Sequence, residues 1–125
     1  MGLFDDEPSR RRLGASEKQA LYKIQDGKCM YCGKKMALAY MHIDHKTPIE
    51  KRGSNRFSNL QFLCSPCNTR KGKLTDGQFR KRFELTPSRE AKGPPRKVIP
   101  LSHFERISKE RAKEKRNSGG GWGIF

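Results

Sequence analysis

Apolar residues come in short bursts along this chain, and their spacing divides it into elements. Ala20, Leu21 and Ile24 share one side of a 3.6-residue helical period, so a helix is expected to open at Ser16. Ser16 would cap it and Gln19 would return the bond in a capping box. Asp26-Gly27 should end it. Met41, Ile43 and His45 then alternate with His42 and Asp44, the period of a strand over 40–45, which Thr47-Pro48 terminates. A polar loop at 50–58 leads to Leu60–Cys64, a second strand, and the two make a hairpin with a long connection. From Pro66 the pattern turns helical and stays basic through Lys73. Asp76 to Phe83 reads as another helical piece, with Phe79 and Phe83 one turn apart.

The ends lack this patterning. Residues 1–14 are a charged lead-in expected to be mobile, and SREAKGPPRKVIP after Pro87 is a proline-bearing linker with little core material. Ser102 to Arg116 is expected as a helix capped by Ser102, nearly all charge beyond Ile107 and ordering only on nucleic acid. GGGWGIF closes the chain with an apolar tip on a glycine leash. The tip, Trp122–Phe125, is a candidate contact for a protein partner, with folding back on the core or no role as the alternatives. The expected organisation is a mobile segment 1–14, a domain 15–86, and a basic, partly disordered extension 87–125, with no internal repeat.

Composition explains why the bursts are short. Only 33% of the 125 residues are hydrophobic, and a small core of this kind ordinarily needs a staple such as disulfides or a structural metal. Lys and Arg number 28 against 13 Asp and Glu, a formal charge of +15, which implies a polyanionic partner, most commonly nucleic acid. No stretch approaches the ~18 apolar residues of a membrane span, and the start lacks the apolar centre of a secretory signal. Asp6 stands where a myristoylation signal wants Ser or Thr. A reducing location, cytoplasm or nucleoid, is therefore expected, where four cysteines are metal ligands rather than disulfides.

Those cysteines form two pairs of equal spacing, Cys29-Met-Tyr-Cys32 and Cys64-Ser-Pro-Cys67, one at each end of the expected hairpin. Each tight turn offers two thiolates pointing the same way, and two turns complete a tetrahedral Zn²⁺ site. No βαβ pattern surrounds either pair, which argues against a thioredoxin-like redox role.

With zinc satisfied by sulfur, His42, Asp44 and His45 have no evident structural task. Taken singly, each reads as a surface strand residue. Taken with Asp44-His45-Lys-Thr-Pro48, Asn59-Leu60, Cys67-Asn68 and Arg70-Lys71-Gly72, in that order between and after the cysteine pairs, the chain resembles the HNH endonuclease family over roughly 16–83. The resemblance implies a small α+β fold with a ββα-metal (His-Me finger) core, stapled here by the four-cysteine zinc site and carrying basic tails.

It also implies roles. His45 is the general base that takes a proton from the attacking water, a task suited to an imidazole, which accepts protons near neutral pH. Asp44 and Asn68 hold one catalytic divalent cation, Mg²⁺ or Mn²⁺, through oxygen ligands, and Asn59 fixes the loop and orients His45. Many members of the family carry His where this chain has Asn68, and an amide binds a metal more weakly, with Ni²⁺ or Zn²⁺ less favoured. His42 has no place in the pattern; it is read as an exposed strand histidine, with a supporting contact to Asp44 as the alternative. Arg70, Lys71 and Lys73, with Lys51, Arg52 and Arg56 from the loop, are expected to approach a DNA phosphate backbone. Tyr31 and Phe57 are open between stacking on bases and packing beside the zinc.

The expected activity is metal-dependent hydrolysis of DNA phosphodiester bonds, a nick or a double-strand cut, leaving 5′-phosphate and 3′-hydroxyl ends. A zinc-stabilised DNA-binding module without catalysis is one alternative, and a nuclease subunit of a larger assembly is another.

Overall fold

The computed structural model of the chain describes residues 13–122, with side chains through Glu114. Its main elements are helix α1 (Ala15–Ile24), strands β1 (His42–His45) and β2 (Leu60–Leu63), and helices α2 (Ser65–Lys71), α3 (Asp76–Arg82) and α4 (Leu101–Trp122). Short 3₁₀ turns at Leu38–Tyr40, Ile49–Lys51 and Phe57–Asn59 punctuate the connections. Of the expected mobile lead-in, residues 1–12 lie outside the described residues, as does the side chain of the expected tip at Trp122 and everything after it. Leu13, by contrast, is buried.

β1 and β2 pair antiparallel, with His42 opposite Leu63, Ile43 opposite Phe62, Asp44 opposite Gln61 and His45 opposite Leu60. Opposed residues share a face, so this register assigns the two sides of the hairpin. Leu60 and Phe62 enter a core with Leu13, Leu21 and Met41, beneath α1. Leu63 enters a second core made of the four cysteines, Tyr31, Phe79, Phe83, Phe104 and Ile107. β2 is thus buried on both faces, and Gln61 is the polar residue in the middle of it.

A two-stranded sheet leaves outer backbone groups needing partners. Gln25, fully buried after α1, supplies them: its amide oxygen accepts from Phe62 N–H at 2.7 Å and its amide nitrogen donates to Phe62 C=O at 3.0 Å. This side chain does the work of a missing third strand.

Several boundaries differ from those the pattern suggests. α1 opens on Gly14 rather than Ser16, with the Glu17 carboxylate accepting from Gly14 N–H at 3.3 Å. β1 starts only at His42 because Leu38–Tyr40 coils into a 3₁₀ turn. Cys64 leaves β2 to become the N-cap of α2, and Pro66 sits in the first turn, where no intrahelical N–H is required. Thr75 and Gln78 close a capping box on α3, at 3.1 Å and 2.9 Å.

The larger difference is α4. It is helical in the protein alone, because Phe104 and Ile107 are buried in the cysteine-side core and anchor its first turns. The linker before it runs back over the first knuckle, where Ile99 N–H donates to Cys32 C=O at 2.8 Å. Gly33, at φ 77°, allows that approach, since a Cβ there would sit 2.9 Å from the Pro95 carbonyl oxygen. Packing therefore continues past residue 87, where composition alone placed the end of the domain.

Candidate active site and metal centre

The two knuckles meet. The sulfurs of Cys29, Cys32, Cys64 and Cys67, all buried, lie within 4.8 Å of one another, and Cys32 Sγ is 3.7 Å from Cys64 Sγ. Four sulfurs at ~2.3 Å from a tetrahedral Zn²⁺ are about 3.8 Å apart, so the cluster has the dimensions of a zinc site. Hydrogen bonds from Cys32, Cys64 and Cys67 hold the Cys29 thiol far below its ordinary range, while the bond to Cys29 pushes Cys32 and Cys67 far up.

Asp44 sits beyond this core at the end of β1 and is buried to 9% exposure. Burial pushes its carboxyl above the ordinary range, and hydrogen bonds from Gln61 and Lys71 work against that shift. Both bonds fall on one oxygen: Gln61 Nε2 donates to Oδ2 at 2.9 Å and Lys71 Nζ lies 3.0 Å from the same atom. Asp44 Oδ1 has no partner among the described residues, and Asp44 lines an open cavity of about 590 Å³ together with His45, Glu50 and Lys73. An oxygen left over on a pinned carboxylate suits a hard cation.

His45 is held by the loop rather than by the sheet. Its Nε2 is 2.8 Å from Asn55 Oδ1. The amide oxygen engages Nε2, and Nδ1 is the ring nitrogen without a partner among the described residues. The loop is fixed in turn by Asn59, whose Oδ1 accepts from Thr47 N–H at 3.0 Å and whose Nδ2 donates to Thr47 C=O at 3.0 Å and Ser54 C=O at 2.7 Å. The backbone just after His45 is also tied down, with Lys46 N–H on Asn59 C=O and Asp76 N–H on Lys46 C=O, at 2.8 Å and 2.7 Å. Gly53 completes the turn. A Cβ there would lie 1.7 Å from the Thr47 carbonyl oxygen.

Asn68 lies on α2 and is half-buried, but it is not among the residues lining the cavity. It stands one helical turn before Lys71, on the same side of α2, and Lys71 reaches both Asp44 and the His45 carbonyl, the latter at 2.8 Å. Lys71 departs from the expected surface role: its side chain is 0% exposed, sealed between α2 and β1, where it cannot track a phosphate backbone. Arg70 is half-buried with its guanidinium 5.7 Å from the Phe104 ring centre. Lys73, exposed, pairs with Glu50 at 3.2 Å, and Lys51 donates to Gln78 at 3.0 Å. Arg52 and Arg56 are exposed. His42 is exposed, and its ring has no partner among the described residues. Tyr31 is buried and stacked on Phe79 at 4.2 Å, and Phe57 packs against the α1-side core, so both serve packing.

Two site contributors, Asn55 and Gln61, carry no mark in the sequence, and a third, Lys71, was expected on the DNA backbone instead. Asn55 lies in a polar loop with no motif to mark it. Gln61 is a polar residue inside the apolar run of β2. Lys71 was indistinguishable from its basic neighbours, although its i,i+3 spacing from Asn68 was a usable signal.

Residues 29–74 match the family described as HNH endonuclease. A crystal structure of the Type II-C Cas9 enzyme from Actinomyces naeslundii is similar in fold, with a TM-score of 0.53 at 21% identity over 87% of this chain. The chain spans 12% of that enzyme's length. No helix among the described residues is long and apolar enough to cross a membrane.

Proposed function

We propose, taking residues 29–74 as an HNH endonuclease domain, that this chain hydrolyses DNA phosphodiester bonds with the help of one divalent cation. The supporting observation is that Asp44, with one oxygen pinned and one free, and His45, with Nε2 engaged, line the same cavity.

His45 accepts the proton of the attacking water on Nδ1, because Asn55 holds the opposite nitrogen. Asn59 keeps the loop, and so Asn55, in place without touching the reacting atoms. Asp44 Oδ1, with Asn68 from the neighbouring helix, would hold the cation, and oxygen donors suit Mg²⁺ or Mn²⁺. A cation held there would supply positive charge to the scissile phosphate and the departing 3′ oxygen, and the products would carry 5′-phosphate and 3′-hydroxyl ends. The four cysteines hold a structural Zn²⁺. Lys73, Lys51, Arg52 and Arg56 contact the phosphate backbone around the cavity, Lys73 by exchanging Glu50 for a phosphate.

The test is plasmid cleavage. His45→Ala should lose activity by a factor on the order of 10² to 10⁴ with DNA affinity retained. Cleavage by the variant at the wild-type rate would remove His45 from the mechanism, and tight binding with no cutting by the wild-type protein in Mg²⁺ or Mn²⁺ would replace the enzyme with a binding module.

A further inference from the structure

A line of hydrogen bonds runs through the interior from the first cysteine knuckle to the cavity. Tyr31 lies between Cys29 and Cys32, its ring held at 4.2 Å on Phe79. Its hydroxyl donates to Asp76 Oδ1 at 2.6 Å and accepts from Gln61 Nε2 at 3.0 Å. The same Gln61 nitrogen donates to Asp44 Oδ2 at 2.9 Å. Asp76 is itself fixed, receiving Arg80 Nε at 3.0 Å and the Ser88 hydroxyl. Tyr31 and Gln61 are 1% and 0% exposed, so water does not compete along the line.

A buried polar chain of this kind costs stability unless it is fully paired, and here Gln61 Oε1 is buried without a partner among the described residues. An apolar residue at position 61 would pack between the cores without that cost. The amide is tolerated because its nitrogen serves two acceptors at once, and one of them is Asp44.

We infer that Tyr31 is a positioning residue for Asp44, acting through Gln61, so that the zinc knuckle sets which carboxylate oxygen faces the cavity. Asp76 orients the Tyr31 hydrogen toward itself, which leaves the phenol oxygen lone pairs for Gln61. Gln61 then commits both its protons, one to Tyr31 and one to Asp44 Oδ2. Oδ1 is left for a cation. Without the Tyr31 oxygen, the Gln61 amide loses the partner that fixes its rotamer, and Lys71 alone is left to hold Asp44 Oδ2, a looser restraint on the carboxylate. This inference rests on the reading of Asp44 as a cation ligand.

The experiment uses the full chain loaded with zinc and follows Mn²⁺ binding by electron paramagnetic resonance, with no DNA present. Tyr31→Phe keeps the stacked ring and removes one oxygen. Supporting partners of a metal ligand are typically worth 10- to 100-fold in affinity, so roughly a 10-fold weaker Mn²⁺ dissociation constant is expected. Zinc content should stay at the wild-type ratio. Gln61→Met, similar in length and without the amide, should reproduce the loss and provides the answer if the tyrosine variant fails to fold. Asp44→Asn, run in parallel, separates the two ideas. If Asp44→Asn weakens Mn²⁺ binding while both other variants bind as wild type, the relay is overturned and the ligand assignment survives. If Asp44→Asn binds Mn²⁺ as wild type, the ligand assignment fails and the relay falls with it.

Discussion

At the scale of residues, the proposed chemistry rests on neighbours in the chain that depend on different supports. Asp44 is held from inside by Gln61 and Lys71, and His45 is held from outside by Asn55. Asn55→Ala should therefore lower the cleavage rate by up to roughly 100-fold, the cost of a misplaced reacting group, while Mn²⁺ affinity and DNA affinity remain at wild-type values. Single-turnover kinetics alongside a binding titration would check both halves of that statement. The residues proposed for the chemistry could be picked out of the sequence because their order and spacing are constrained by the hairpin and helix that display them. Their partners were not legible. Which amide reaches His45, and which of Arg70, Lys71 and Lys73 turns inward, depends on how α2 lies against β1, and that is decided by packing rather than by local pattern.

At the scale of elements, the period-2 alternation around Ile43 and the apolar run from Leu60 located the hairpin, and the Phe79–Phe83 pair located α3. The caps were less legible. Ser16 and Gln19 had the chemistry of a capping box, but Leu13 is buried just upstream, and the helix opens at Gly14 to let it reach the core. The connection between the strands, written in polar residues, proves to be the most constrained loop of the site. Gly53→Ala tests this directly. The added methyl group would overlap the Thr47 carbonyl, so the loop must shift. A destabilisation of about 1–3 kcal/mol is expected, with loss of cleavage beyond what the change in melting temperature explains. Denaturant unfolding paired with plasmid cleavage on the same preparation reads out both effects.

At the scale of the whole molecule, the lean composition is answered by a shared core in which the four cysteine thiols and aromatic rings pack together. Phe104 contributes a ring 5.4 Å from Phe83 and 6.4 Å from Phe79, although it lies well beyond the residues that carry the motif. A proline-rich stretch usually marks a boundary, and here it also lies as a strap over the first knuckle. Phe104→Ala should cost about 3–5 kcal/mol and should make zinc easier to remove with a chelator, measured by chemical unfolding and by the rate of zinc transfer to a colorimetric indicator. A chain ending at residue 86 should show the same weakness while keeping every motif residue. Unchanged stability in both would mean that α4 only rests against the core.

The alternation along β1 has a genetic consequence. Adjacent residues of an extended strand face opposite ways, so lesions on the knuckle side strike Asp44 and lesions in the loop strike His45. Loss-of-function alleles should then fall into two complementation-like classes: those suppressed by excess divalent cation, such as changes at Gln61 or Tyr31, and those indifferent to it, such as changes at Asn55. Lys71 touches both neighbours, and alleles at that codon should belong to neither class cleanly.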